Sequence, residues 1–151
     1  MSSAPREAGR VIGPALGVLD DWRQFARGCR ANLLIVGELA AREREDILQT
    51  IQARCGLDGF HAQRPHGLLL PAHSDLIVVV DDACRLSEDE QRRLLRWVRQ
   101  HRAQVTSFAS TSLYDLVCAG RFMEALYYHL NTICVVLTPS AKRANPRPAD
   151  R

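Results

Sequence analysis

The chain has 151 residues, 46% of them hydrophobic and 25% charged, with a formal net charge of +3; this is the length of one domain, enough to bury about two-thirds of the surface its unfolded form exposes. Lys142, Arg143, Arg147 and Arg151 against Asp150 account for the whole +3, so the remainder is neutral, which argues against a dedicated DNA-binding face. Five scattered cysteines (Cys29, Cys55, Cys84, Cys118 and Cys134) without a C-x-x-C pair argue against a disulfide framework and a zinc knuckle, and no run reaches the roughly 18 apolar residues of a membrane span, so a cytoplasmic protein is expected.

Residues 1–17, rich in Gly, Pro, Ser and Ala, read as a flexible leader. From Val18 to Arg30 the residues Leu19, Trp22, Phe25, Ala26 and Cys29 recur at three- and four-residue spacing and predict an amphipathic helix starting near Asp20 or Asp21. Asn32 to Glu38 reads as a buried strand ending on Gly37, followed by a helix from about Ala40 to Cys55. Strand, turn, helix is where a phosphate-binding loop would lie. The G-x-x-x-x-G-K-[ST] chemistry is absent, however: Gly37 is followed by Glu38, Leu39, Ala40, Ala41, Arg42, Glu43 and Arg44, and Glu43 in the lysine's place repels phosphate. Arg42, Glu43, Arg44 and Glu45 are read as a solvated helix face in preference to phosphate binding by Arg42 or Arg44.

The turn-rich stretch from Gly56 to Ser74 holds a short strand over Leu57–Ala62 and a buried connection over Leu68–Leu70. His61, His66 and His73 match no metal-ligand spacing, and no metal is expected. Leu76 to Val80 is an unbroken apolar run that stops on Asp81 and Asp82. It predicts a parallel strand covered on both faces with two carboxylates at its carboxyl end, where ligands gather in α/β sheets. Ser87 with Glu90 three residues on is a capping box, opening a helix to about His101. Leu94, Leu95, Trp97 and Val98 supply its inner side, and Arg92, Arg93, Arg96, Arg99 and Arg102 a basic exterior that reads as solvated or partner-facing. A third core strand is predicted over Gln104–Ser110, short helices over Ser112–Ala119 and Arg121–Leu130, and a last strand over Thr132–Thr138. Residues 139–151 read as a disordered basic tail.

The segment Gly120-Arg121-Phe122-Met123-Glu124-Ala125-Leu126-Tyr127-Tyr128-His129-Leu130-Asn131 resembles the G-R-F-R-x-D-L-Y-Y-R-L-N segment of the AAA+ (sigma-54 interaction) domain of bacterial enhancer-binding activators. Val80-Asp81-Asp82 with Leu86, Gln91, Leu94 and Leu95 resembles that family's Walker B strand and following helix, and Asn32 to Glu38 its first strand and the G-E that opens Walker A. The resemblance covers about Trp22 to Thr138. It implies magnesium binding at Asp81, water polarisation at Asp82, a sensor position at Ser110, arginine fingers at Met123 and His129, and the Walker A lysine at Glu43. Met and a mostly neutral imidazole do not replace a bidentate guanidinium, and Asp82 is one methylene short of the family's Glu. The interval from Gly37 to Asp81 is too short for the loop with which the family contacts sigma-54, and no helical lid is expected after Pro139.

The expected fold is thus a three-layer α/β sandwich over residues 18–138, with a mostly parallel sheet of about five strands, P-loop-NTPase-like and reduced. The expected function is a non-enzymatic, AAA+-like binding module, a pseudo-ATPase regulating transcription by engaging an enhancer-binding activator or related partner, with self-association as a further contact and neither specific DNA contact nor membrane. Arg121, Phe122, Met123, Tyr127, Tyr128, His129 and Asn131 are its expected partner surface. No cofactor is expected; Gly37, Glu38, Asp81 and Asp82 are a vestigial nucleotide site, and Asp81 and Asp82 are read as strand-end and helix-capping acids. The alternative is a residual Mg–nucleotide-binding protein or slow NTPase. A receiver-like domain is disfavoured because Glu38 stands alone after its strand and Thr138-Pro139-Ser140 occupies the place of the receiver's lysine.

Overall fold

The computed structural model describes residues 10–12 and 32–137. The predicted helix over 18–30 and the basic tail lie outside the described residues. The chain runs β1 (Arg10–Ile12), β2 (Leu33–Val36), α1 (Ala41–Cys55), β3 (Gly59–His61), β4 (Gln63–Arg64), β5 (Gly67–Leu68), β6 (Ile77–Val80), a 3₁₀ turn (Ala83–Arg85), α2 (Glu88–Gln100), β7 (Gln104–Ala109), α3 (Leu113–Cys118), α4 (Glu124–Leu130) and β8 (Ile133–Val136).

The main sheet has the order β1-β8-β2-β7-β6-β3, and every neighbouring pair is parallel. This is the expected α/β class. The sixth strand, β1, comes from within the stretch read as a leader: three residues between glycines and prolines are too short to show a period, and pairing with β8 places them at the edge. β4 and β5 form a separate antiparallel hairpin.

The apolar runs are continuous because both sheet faces are covered. Alternate residues of each strand enter opposite layers: Leu33, Ile35, Ile77 and Val79 pack with Ile47, Leu48 and Ile51 of α1, while Leu34, Val78 and Val80 pack with Leu94, Leu126 and Leu130 of α2 and α4. Full burial of each such side chain is worth about 1.5–3 kcal/mol. α1 stops where Gly56 takes φ 65°, its N–H bonding the Gln52 carbonyl at 3.0 Å.

α2 begins with the expected capping box: the Ser87 hydroxyl accepts from the Glu90 N–H at 3.2 Å, and the Glu90 carboxylate accepts from the Ser87 N–H at 3.1 Å. Glu88, Asp89 and Glu90 in its first turn also face the positive end of the helix dipole. Replacing Ser87 by Ala is expected to cost about 1 kcal/mol in urea unfolding, with the slope unchanged.

Two expectations need correction. Of the connection expected to be buried, Leu68 is inside but Leu69 is 53% exposed, because the hairpin turns it outward. The helix predicted to start at Arg121 starts at Glu124. Gly120 takes φ 71°, and the N–H groups of Arg121 and Phe122 both bond the Leu116 carbonyl, at 2.8 and 3.2 Å, which fixes these residues in the turn that ends α3.

Candidate functional site

The strands β2, β6 and β7 end at one edge of the sheet, and the residues that follow them meet there. A cleft of about 180 Å³ is lined by Gly37, Glu38, Arg44, Asp81, Asp82 and Ser110, with Leu39, Phe108 and Ala109. The four residues expected as a vestigial nucleotide site therefore converge, joined by Ser110, where the resemblance puts a sensor. The volume is below the roughly 300–1,000 Å³ of pockets that enclose a drug-sized ligand.

The turn from β2 into α1 is only Gly37–Ala40. Gly37 adopts φ 148°, where a side chain is strained, and a Cβ there would stand 3.0 Å from both the Leu137 Cβ and its carbonyl oxygen, so Leu137 would have to shift to admit one. Its N–H bonds the Ala109 carbonyl at 2.9 Å. Ala40, the residue at the start of α1, makes no side-chain cap. Arg42, Glu43 and Glu45 are solvated as expected.

Arg44 departs from the solvated-face reading. It is half-buried, its guanidinium Nη1 donates to the Asp81 carbonyl at 3.2 Å, and its Nε is buried without a partner. The signal was present in the spacing: Arg44 precedes Ile47, Leu48 and Ile51 by three, four and seven residues, and those three form the buried stripe of α1.

Both strand-end acids are engaged by their own chain. The Asp81 carboxylate lies 3.1 Å, through each of its oxygens, from Nδ1 of His61 at the end of β3. Asp82 accepts from the Cys84 N–H at 3.1 Å and so caps the 3₁₀ turn, in the capping role expected of it. The Gln63 side chain holds the Asp82 backbone at two points, donating to its carbonyl at 2.7 Å and accepting from its N–H. Neither His61 nor Gln63 was legible as a partner of the acids, since the parallel pairing of β3 with β6 that brings them together is non-local. Among the described residues no group of three or more His, Cys, Asp and Glu is placed to hold a metal, and no helix is long and apolar enough to cross a membrane.

The expected partner segment divides into two sides. Phe122, Tyr127 and Asn131 are 4–5% exposed and belong to the core, so they do not face a partner. Arg121 and Tyr128 are exposed, Tyr128 by 49%, and Met123 and His129 are partly so. Gln91, itself only 4% exposed, fixes the segment's entry: its Nε2 donates to the Leu86 and Arg121 carbonyls at 3.0 and 3.3 Å, and its Oε1 accepts from the Met123 N–H at 2.9 Å. Asn32 fixes its exit, donating to the His129 carbonyl at 2.7 Å and accepting from the Val105 N–H at 2.9 Å.

A parallel sheet with crossover helices on both faces, and acids at the carboxyl end of an inner strand, makes this a doubly wound α/β domain. The profile of the sigma-54 interaction domain matches residues 60–139, and the chain belongs to that family. Among solved structures, three of NtrX from Brucella abortus are similar: one in complex with ATP (TM-score 0.67, 15% identity), one with ADP (0.64, 14%), and a third (0.67, 14%). Each covers 87% of this chain, whereas the chain spans only 37–38% of NtrX. No curated protein matches the sequence.

Proposed function

We propose that this chain is a non-catalytic AAA+-like module that regulates transcription by docking on the AAA+ domain of an enhancer-binding activator. The observation that carries the reading is the solvent-facing side of Arg121 to His129, held at its entry by Gln91 and at its exit by Asn32, with Tyr128 49% exposed. By resemblance this segment is where the family's subunits meet, and here the finger positions carry Met123 and His129 in place of arginine. A subunit that docks without supplying a finger poisons the neighbouring site, since a missing finger costs about 10³–10⁵ in rate.

The test is the ATPase rate of a purified activator AAA+ ring with increasing amounts of the chain. Inhibition at substoichiometric ratios is expected, together with co-elution in gel filtration. A variant carrying Met123→Glu and Tyr128→Glu is expected to weaken docking at least about thirtyfold, the loss of one interface anchor of 2 kcal/mol or more. Unchanged ATPase rates across the titration would end this reading.

A second reading, a residual Mg–nucleotide binder, draws on the convergence of Gly37, Glu38, Asp81, Asp82 and Ser110 on one cleft. Against it stand the cleft's small volume and the engagement of both acids by protein groups. In calorimetry with Mg–ATP we expect no saturable heat up to millimolar concentration. Saturable binding that Asp81→Ala removes would put the second reading in place of the first.

A further inference from the structure

The neutral charge balance of the chain short of its tail is a sum, and the fold does not spread it evenly. From Gln91 to Tyr114 there are five arginines and no acid, and from Gly59 to Ser74 there is again no acid. The two stretches lie side by side: Nη2 of Arg93 donates to the Leu68 carbonyl at 2.9 Å, and Nε1 of Trp97 donates to the Pro71 carbonyl at 3.0 Å. Glu43, Glu45 and Asp46, exposed acids of α1, stand on the other face of the sheet.

Leu94, Leu95 and Trp97 turn inward, which leaves Arg92, Arg93, Arg96 and Arg99 exposed along the outward ridge of α2. Arg92 pairs with Glu88, whereas Arg96 and Arg99 have no partner among the described residues. Glu88, Asp89 and Glu90 occupy the first turn, so the uncompensated positive charge lies in the carboxyl-terminal half of the helix.

Arg92 to Arg99 spans about 10.5 Å at 1.5 Å per residue, a length over which duplex DNA presents about six phosphates. The planar guanidinium fork binds phosphate through two parallel bonds. A helix about 10–12 Å wide fits the roughly 12 Å major groove of B-form DNA and not the narrow, deep groove of an RNA duplex. Single strands are held by stacking on exposed aromatic rings. Here Trp97 is 7% exposed and stacked on His101, and the Arg64 guanidinium covers the Phe60 ring. A protein partner is held by large apolar or aromatic anchors; the two exposed large hydrophobic side chains among the described residues, Leu69 and Tyr128, lie outside α2.

We propose that the arginine ridge of α2 binds the phosphate backbone of duplex DNA without regard to sequence, with Arg93, Arg96 and Arg99 each taking a phosphate that borders the major groove. The inference is independent of docking through Arg121 to His129. Its test contains no activator, and the ATPase titration contains no DNA, so the two fail separately.

The test is fluorescence anisotropy of a labelled DNA duplex titrated with the whole chain over a range of salt. Because the tail also attracts phosphate, the measurement is made with Lys142→Gln, Arg143→Gln and Arg147→Gln in place. In that background three phosphate contacts give log affinity against log salt a slope of about −2.7, at 0.9 for each contact. Adding Arg96→Gln and Arg99→Gln is expected to flatten the slope by about 1.8 and to lower affinity at least about tenfold at ~50 mM salt. Glu88→Gln, which releases Arg92, is expected to steepen it by about 0.9. All three positions are exposed, and urea unfolding checks that these variants remain folded. Two unrelated duplex sequences are expected to bind alike. No binding once the tail is neutral, a slope unchanged by the Arg96 and Arg99 substitutions, or equal affinity for poly-glutamate, an RNA duplex or single-stranded DNA would each overturn the proposal.

Discussion

Replacing Gln91 by Leu is expected to destabilise the domain by about 2–4 kcal/mol and to loosen residues 121–123 first. Gln91 is inside the core, and its amide serves three backbone groups at once: the Leu86 and Arg121 carbonyls and the Met123 N–H. Leucine keeps the volume but leaves those groups buried without partners, each at about 1–3 kcal/mol. Urea unfolding gives the size of the loss, and amide exchange at Met123 gives its place. Gln91→Glu separates the two halves of the role, since the carboxylate still accepts from Met123 but turns negative charge on two carbonyls. A loss below about 1 kcal/mol in Gln91→Leu would mean that the turn at Gly120 holds the segment unaided.

Asn32→Ala is the second large effect, expected at about 2–3 kcal/mol. Asn32 stands just before β2 and closes the amino-terminal end of the sheet, with its side chain on Val105 at the start of β7 and on His129 of α4, and its carbonyl accepting from the Ile133 N–H at 3.0 Å. Alanine removes both side-chain bonds, leaving the Val105 N–H without its side-chain acceptor and the His129 carbonyl with only the long 3.5 Å bond from the Thr132 hydroxyl. Asn32→Asp is expected to keep Val105 protected from exchange while exposing the His129 end, because an ionised carboxylate accepts but cannot donate. Equal exchange at both ends in the two variants would argue that backbone pairing alone sets this edge.

The strands β2, β6 and β8 were legible because a parallel strand covered on both faces is apolar throughout; β7 departs from that pattern, with Gln104, Thr106 and Ser107 buried among its apolar residues. Ser87 and Glu90 marked their helix start because capping is local in sequence. The start of α4 was not legible: Arg121 to Met123 have acceptable helical character, and what holds them out of the helix is the backbone of α3 and the distant side chain of Gln91. The same holds at the strand edge. Asp81 and Asp82 were visible as acids, but their engagement by His61 and Gln63 depends on the pairing of β3 with β6. Arg44 could have been placed by the stripe it shares with Ile47 and Ile51. Within Tyr127-Tyr128 the pattern of Leu126 and Leu130 favours Tyr127 as the inward ring, which the burial of 4% against 49% decides.

The position of β2 also governs how the protein is made. Its two neighbours in the sheet, β7 and β8, both come from the second half of the chain. At roughly 5–20 residues per second, Leu33 to Val36 leave the ribosome several seconds before either neighbour exists to pair with them. For that interval an apolar strand is without its sheet, and a nascent chain stopped before Gln104 has a central strand with both edges open. The pairing of β2 therefore waits for the second half of the chain, and the yield of native protein is expected to rise when elongation is fast or a chaperone holds the first half.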